Sequence, residues 1–202
     1  MGHPGVSGYL RALDKRGFAA SVRGTGATRL NSCAEDLLPM AFDLRQKAER
    51  LGRHIPGFQG YREHHCFETD LLLRRYLAGE VEKVHDRLAD FIAGRSCDAG
   101  LREKLRLSLR TLAFLRDEIN PMRAGGPEEV VPADARNEEL LLDFDFSLLD
   151  KVAGLHSPLD GMEQALSDEG IKAELDLLDE GVAEADDLFR LRGRILQGRG
   201  HS

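Results

Sequence analysis

Apolar residues recur along most of this chain at alternating spacings of three and four, which is the period of an amphipathic helix. In the first two thirds of the chain this pattern predicts three long helices, at residues 32–54, about 61–94 and about 98–120. Ser32 and Glu35 have the form of a capping box at the start of the first helix, and Asp36 is the alternative cap, which would leave Pro39 in the first turn. Each apolar stripe, or seam, covers one narrow face of its helix. We therefore expect the helices to bury their seams against one another.

A second helical region follows a segment rich in proline and glycine. Residues 123–144 contain two prolines and a Gly-Gly pair, which predicts a linker. Residues 145–197 then carry two apolar stripes on either side of a short polar turn, which predicts an acidic α-hairpin. Pro158 lies inside the first of these two helices and should kink it or split it in two.

The predicted fold class is all-α: an elongated antiparallel helical bundle with coiled-coil-like seams and about five helices. It comprises a three-helix unit at residues 32–122 and the C-terminal hairpin. Residues 1–31 are predicted to be a mostly disordered basic arm, and residues 198–202 a frayed tail. Composition agrees, because aromatic residues make up only 6% of the chain and charged residues 31%. Amphipathic helices suit that mixture better than a sheet does.

Charge is distributed unevenly along the sequence. Residues 126–202 contain 19 acidic and 7 basic residues. A surface this acidic repels nucleic acid, so nucleic-acid binding by the whole molecule is disfavoured. The N-terminal arm supports a further alternative, in which the protein binds nucleic acid or a membrane surface through basic side chains. They are Arg11, Lys15, Arg16, Arg23 and Arg29.

The third predicted helix has a basic outer face, formed by Arg102, Lys104, Arg106, Arg110 and Arg116. The acidic hairpin could dock on this face within one chain or across a dimer. Opposite charges would then favour the docked arrangement.

The number of cysteines and the lack of long apolar runs indicate the cellular compartment of the protein. The cysteines are Cys33, Cys66 and Cys97, an odd number at wide spacing. A disulfide framework is therefore not predicted, and we expect a reducing, cytoplasmic location. We expect no membrane span, since a span needs about 18 apolar residues. An organellar presequence at residues 1–30 is the alternative.

The segment from Ile55 to Tyr61, with the sequence Ile-Pro-Gly-Phe-Gln-Gly-Tyr, differs from the helical sequence around it. Its Pro-Gly pair predicts a type II turn, in which the glycine supplies a positive φ. We interpret it first as a structural helix–helix connection, and as a binding loop in the alternative. The candidate interaction loop comprises Pro56, Gly57, Phe58, Gly60, Tyr61, Arg62, Asp70 and Arg74.

The same stretch resembles a pattern in uncharacterised bacterial helical-bundle proteins, Ile-Pro-Gly-Tyr-x-Gly-Tyr followed by charged residues, Ala-Asp and a leucine-arginine step. The matching residues are Ile55, Pro56, Gly57, Gly60, Tyr61, Asp70 and Arg74. Phe58 stands in place of tyrosine, and residues 64–67 replace a charged stretch. The resemblance implies a helical architecture and carries over no activity and no catalytic residues.

Metal-ligating side chains are densest just after the turn, at His64, His65, Cys66, Glu68 and Asp70. Glu82 and His85 also have the Glu-x-x-His spacing of di-iron bundles, but the chain has no second Glu-x-x-His. Neighbouring residues of a helix point about 100° apart, so the cluster does not converge on one ion. We therefore predict no metal, no cofactor and no catalytic residue.

The leading hypothesis is a non-enzymatic helical scaffold or adaptor that engages a protein partner or a second copy of itself. The alternative is a metal-binding or enzymatic bundle built on the cluster from His64 to Asp70.

Overall fold

Helices account for nearly all of residues 43–61, 65–122 and 135–197, the parts of the chain that the computed structural model describes. Residues 43–54 are helical and are called the N-terminal helical segment. Five further helices follow: α1 (Cys66–Gly94), α2 (Ala99–Ile119), α3 (Ala135–Gly154), α4 (His156–Gln164) and α5 (Asp168–Leu196). These ranges contain no strand, so the predicted all-α helical bundle is confirmed. The predicted arm, its neighbouring cap at Ser32 and the tail lie outside the described residues.

The helices occupy four corners of a bundle. α1 packs against α2 and against the α3–α4 pair, and α5 does the same from the opposite corner. Arg74 of α1 reaches the last carbonyl of α2, while the short connection from Gly94 to Ala99 lies at the other end. α1 and α2 are therefore antiparallel neighbours.

α5 runs parallel to α2 and antiparallel to α3. Asp98 at the start of α2 contacts Asp168 at the start of α5, and Glu118 near the end of α2 pairs with Arg190. α2 contacts α1 and α5 but not α3 among the described helices, so α2 and α3 lie at opposite corners of the bundle.

Burial follows the apolar period read from the sequence. The seam residues of α1 and α2 are buried in a single core with those of α3, α4 and α5. In α1 they are Leu73, Leu77, Val81, Val84 and Leu88, and in α2 Leu101, Leu105, Leu112, Leu115 and Ile119. Among the described helices, none has an apolar stretch long enough to cross a membrane.

Side-chain caps define two helix starts. Asp98 accepts a hydrogen bond from the Leu101 amide at 2.9 Å, and Ser167 accepts one from the Gly170 amide at 3.2 Å. Each cap satisfies an amide that the first turn of a helix leaves without a partner.

The sequence predicted that Pro158 either kinks or splits the helical region after the linker, and the structure shows the split. α3 ends at Gly154 and α4 begins at His156. Pro158 is thus the third residue of α4, in the first turn, where a missing amide hydrogen costs no hydrogen bond.

Two boundaries differ from those predicted. α3 begins at Ala135, inside the predicted linker of residues 123–144, because Glu138 and Leu141 already belong to its buried face. α1 begins at Cys66 and not near Tyr61, because Tyr61 ends the preceding turn. Residues 123–134 of the predicted linker lie outside the described residues.

The acidic hairpin does dock on α2 within the chain, through α5. Lys104 of the predicted basic face takes part, because burial raises the pKa of Asp179 on α5 and Lys104 acts on it in the lowering direction. Arg116 of that face does not. Arg116 pairs with Glu82 of α1 at 2.7 Å. The ion pair that joins α5 to the end of α2 has the reverse polarity, with Arg190 on the hairpin and Glu118 on α2.

The turn after the N-terminal helical segment requires both of its glycines. Gly57 has a φ of +88° and Gly60 a φ of +92°, which L-residues with a side chain adopt only under strain. A Cβ atom on Gly60 would lie 2.8 Å from the carboxylate oxygen Oε1 of Glu138. Gly60 therefore combines a positive φ with a close approach to α3.

We predict that Gly60→Ala lowers the free energy of unfolding by about 1–3 kcal/mol, because it adds backbone strain and a steric clash. Gly79→Ala is the matched control. Gly79 lies inside α1, and a Cβ atom added there would have no neighbouring atom within 4 Å, so alanine should raise stability by about 0.5–1 kcal/mol. Urea unfolding measures both, and equal effects of the two substitutions would contradict the account.

Candidate functional site

Four polar side chains meet inside the bundle where the turn contacts α1, α3 and α5. They are Tyr61, Asp70, Asp145 and Arg192, and we call them the Arg192 cluster. All four are at most 2% exposed. The turn, α1, α3 and α5 each contribute one member, so the cluster exists only when these elements are assembled.

The arginine is the centre of the cluster. Arg192 donates from Nε to Asp145 Oδ1, from Nη1 to Asp70 Oδ1 and from Nη2 to the Tyr61 hydroxyl, each at 2.6 Å. The Tyr61 hydroxyl donates in turn to Asp145 Oδ2 at 2.5 Å. The planar guanidinium of arginine suits such a fan of acceptors, whereas the single ammonium of lysine does not.

Backbone contacts hold Tyr61 in place. The Tyr61 amide donates to Glu138 Oε1 at 3.3 Å, and the Cys66 thiol donates to the Tyr61 carbonyl. Phe58 packs its ring edge-on to that of Tyr61, with centroids 5.8 Å apart. The ring of Tyr61 also faces the Arg192 guanidinium, 5.5 Å from its centroid. The turn therefore serves to carry Tyr61 into the core.

Arg74 connects the cluster to the end of α2. It donates from Nε to the Ile119 carbonyl at 2.8 Å and from Nη2 to the Glu118 carbonyl at 3.2 Å. Its Nη1 lies 3.8 Å from Asp70 Oδ2. A cation at the last carbonyls of α2 is favoured by the helix dipole, so Arg74 stabilises this helix end as well as Asp70.

Burial dominates the electrostatics of the cluster. It raises the pKa of Asp145 to about 6, although Arg192 and Tyr61 both favour the carboxylate. Burial also raises the pKa of the Tyr61 phenol well above its usual value. For Arg192, burial acts in the lowering direction, but Tyr61 and the two carboxylates outweigh it and raise the pKa. One guanidinium faces two buried carboxylates, so a proton is most easily held on Asp145.

The Arg192 cluster can hold the helices of the bundle together through hydrogen bonds and ion pairs. The core encloses it on every side. A substrate cannot touch side chains this deeply buried. The polar groups that would serve acid–base chemistry are already hydrogen-bonded to one another, which is the pattern of a satisfied structural network.

The residues of the predicted interaction loop divide into two groups. Pro56 and Gly57 are exposed, whereas Phe58, Gly60, Tyr61 and Asp70 are buried and Arg74 is half-buried. Arg62 lies outside the described residues. An interaction through this loop stays a prediction, and among its described residues only the Pro-Gly tip is open to a partner.

Beside the loop lies an open cleft of about 320 Å³. It separates the N-terminal helical segment from the start of α3, and its walls are Leu44, Arg45, Ala48, Glu49, Phe58, Gln59 and Glu138. Its small volume and mixed polar and apolar walls favour no particular ligand.

The predicted histidine cluster does not converge among the described residues. His65 and Glu68 are exposed and lie 3.9 Å apart, while Asp70 points into the core toward Arg192. His64 lies outside the described residues. The cluster therefore offers no shared ligand position where the structure describes it.

Glu82, His85 and Asp86 do bring one ligand atom each within 4.8 Å of one another on α1. However, Arg116 Nη1 lies 2.7 Å from Glu82 Oε2. A guanidinium already satisfies that carboxylate and would repel a metal dication.

Sequence reasoning missed Asp145 and Arg192. Both occupy seam positions of their helices, Asp145 between Leu142 and Leu148 and Arg192 between Phe189 and Leu196. A charged residue at a position where the period demands an apolar one is a signal for a buried ion pair, and it was present in the sequence.

No family model, curated protein or solved structure matches this chain. The resemblance of the turn to uncharacterised bacterial helical proteins therefore stays a prediction.

We predict that Arg192→Met lowers the free energy of unfolding by about 3–5 kcal/mol, because it leaves two buried carboxylates without their cation. Arg190→Ala removes two ion pairs of an exposed arginine on the same helix, those with Glu118 and Asp186, and should change stability far less. Chemical unfolding of the two variants provides the comparison. Equal losses would show that the cluster contributes no more than a surface pair.

We also predict a pH-dependent contribution from Asp145. Its folded-state pKa of about 6 lies above the ordinary 3.8, so the folded protein holds this proton more tightly than the unfolded chain. The resulting stabilisation is present in full below about pH 4 and is lost as the pH rises through about 6, by on the order of 2–3 kcal/mol.

The measurement is the difference in unfolding free energy between the wild type and Asp145→Asn from pH 4 to 7. This difference should decrease with rising pH. A difference that increases over the same range would mean that attraction to Arg192 outweighs burial in setting the pKa of Asp145.

Proposed function

We propose that this protein is a non-enzymatic helical scaffold or adaptor that binds a protein partner through an exposed face of α2. The observation that carries the proposal is the exposure of Leu107 and Phe114, which are 58% and 74% exposed. They lie seven residues apart on one side of the helix, with exposed Thr111 between them. We call these three residues the α2 face.

The α2 face is separate from the seam that holds the bundle together. The seam of α2 is complete without Leu107 and Phe114, since its leucines and Ile119 are already buried. Two large apolar residues at i and i+7 are the usual anchors by which one helix packs on another. Burial of a phenylalanine side chain by a partner also contributes more binding free energy than burial of most other side chains.

The position of the titratable groups supports a binding role over an enzymatic one. The most strongly interacting of the described groups form the Arg192 cluster, which the core encloses. Catalytic groups need contact with substrate, so this cluster favours a structural role.

The thiols bear on cellular location. The three cysteines of the sequence are an odd number at wide spacing, which supports the inference of a cytoplasmic, reducing environment.

We predict that the double variant Leu107→Ala/Phe114→Ala binds its partner at least about tenfold more weakly, because it removes two apolar anchors. Its stability should change by less than about 0.5 kcal/mol, as is usual for exposed sites. Affinity purification from the native cell and sedimentation velocity report on a foreign partner and on self-association respectively.

Leu166→Ala is the control, because Leu166 is fully exposed but lies after α4. It should leave the recovered partners and the oligomeric state as in the wild type. If the double variant also leaves both unchanged, the α2 face is not the binding surface.

A further inference from the structure

A row of arginines lies beside the α2 face. Arg102, Arg106 and Arg110 are spaced four residues apart, and residues at that spacing lie one turn apart along one side of a helix. Arg106 and Arg110 are exposed, and Arg102 is half-buried. Arg110 follows Leu107 by three residues and precedes Phe114 by four, so it neighbours both apolar side chains. We call these three arginines the arginine row.

The neighbouring helices do not neutralise the arginine row. Among the described residues no ion pair joins it to α1 or α5, and its one partner is Glu103 of α2 itself, whose Oε1 lies 3.1 Å from Arg110 Nη2. Like charges four residues apart destabilise a helix by about 0.2–0.5 kcal/mol per pair, so this spacing opposes the stability of α2. Acidic groups that approach from outside relieve the repulsion.

The acids at or beside the α2 face already have partners inside the protein. They are Glu103 with Arg110, Asp117 and Glu82 with Arg116, Glu118 and Asp186 with Arg190, Asp86 with His85, and Asp179 with Ser108 and Lys104. Arg102 and Arg106 have no ion pair among the described residues. An excess of positive charge therefore remains on the outer side of α2.

The two long sides of the α2 face differ in charge. At about 100° per residue, Arg110 lies about 60° from Leu107 on one side and Glu118 about 20° from it on the other. Glu118 is on the side of α5, because it pairs with an arginine of that helix. α5 also carries the exposed Asp176 and Asp187. An acidic partner is therefore repelled on the α5 side and attracted on the side of the arginine row.

We propose that the occupant of the α2 face is an acidic amphipathic helix of a partner protein. Its apolar residues pack on Leu107 and Phe114, and its glutamate or aspartate side chains face the arginine row. This inference rests on the proposed function and adds the chemistry of the partner and the side of α2 on which it lies.

Other occupants fit the charges less well. In a second copy packed through the same face, one arginine row would meet another. A nucleic acid would supply phosphates to the arginines, but it would bring a far denser negative charge against a chain whose net charge is −7. A short acidic helix brings fewer charges and adds the apolar surface that Leu107 and Phe114 need.

Three labelled probes test the proposal. The first is an amphipathic helix of leucine and glutamate about 18 residues long, or five turns. The second has lysine at every glutamate position, and the third is a single-stranded oligonucleotide of about 16 nucleotides. Each is titrated with the full chain by fluorescence anisotropy in about 0.15 M salt, which screens charges more than about 8 Å away. We expect the glutamate peptide to bind at least about tenfold more tightly than either other probe.

Two variants locate the binding. Phe114→Ala should weaken binding of the glutamate peptide by at least about tenfold, because it removes an apolar anchor. Arg106→Glu/Arg110→Glu should weaken it by at least about tenfold as well and should strengthen binding of the lysine peptide, because it reverses the charge of the row. Circular dichroism checks that each variant keeps its helices.

Arg45→Glu/Arg53→Glu is the matched control. It makes the same change of charge at exposed positions of the N-terminal helical segment, which contacts α3 and not α2. Arg45 pairs with Glu49 of its own helix as Arg110 pairs with Glu103, so one intrahelical ion pair is lost in each double variant. The control should change the affinity for either peptide by less than about twofold.

Four results would overturn the inference. Equal losses of glutamate-peptide binding in the row variant and the control would show that the arginine row is not the contact. Lysine-peptide binding that Phe114→Ala abolishes would keep the α2 face as a binding surface but reverse the chemistry of its partner. Oligonucleotide binding that needs the row but not Phe114 would indicate a phosphate-binding surface. If neither peptide binds, the acidic helix is wrong, and the recovery of native partners by the Leu107→Ala/Phe114→Ala variant still decides the proposed function independently.

Discussion

The structure depends on one buried guanidinium shared among three acceptors. Arg192 bonds to Asp70, Asp145 and Tyr61, and these contacts join opposite corners of the bundle, α1 and α5, whose backbones do not approach each other closely among the described helices. Removing such charges from water is costly, and the cost is offset only when every partner is in place. The network therefore favours one arrangement of the helices over the others that similar leucine seams would allow.

That network also explains the unusual turn. A helix–helix connection needs only to reverse the chain, yet this one has two glycines at positive φ and places Tyr61 in the interior. Asp70 and Arg74, which share the same sequence pattern, meet Tyr61 within or beside the cluster. The residues that stand out in the sequence are thus explained as members or neighbours of the Arg192 cluster. Among the described residues of the predicted interaction loop, only Pro56 and Gly57 are exposed.

Much of the fold could be read from the sequence, because helical period and turn chemistry are local. The seams of α1 and α2, the end of the first helix at the Pro-Gly turn and the split near Pro158 all follow from a few neighbouring residues. The start of α3 could not be predicted in this way. Its first buried positions are Glu138 and Leu141, and an acidic residue at the first of them interrupts the apolar pattern. The Arg192 cluster depends on which helices become neighbours. Within the cluster, only the charges of Asp145 and Arg192 at apolar positions gave a local sign of what lay across the core.

The position of Arg192 also bears on how the chain folds during synthesis. Its contacts with Asp70 and Tyr61 span 122 and 131 residues, so the cation emerges from the ribosome long after its acceptors. Contacts of such high sequence separation form late. A nascent or truncated chain that lacks the end of α5 holds two carboxylates that cannot be buried, and its helices should stay loosely assembled. The final turns of α5 thus couple closure of the bundle to the synthesis of α5 itself.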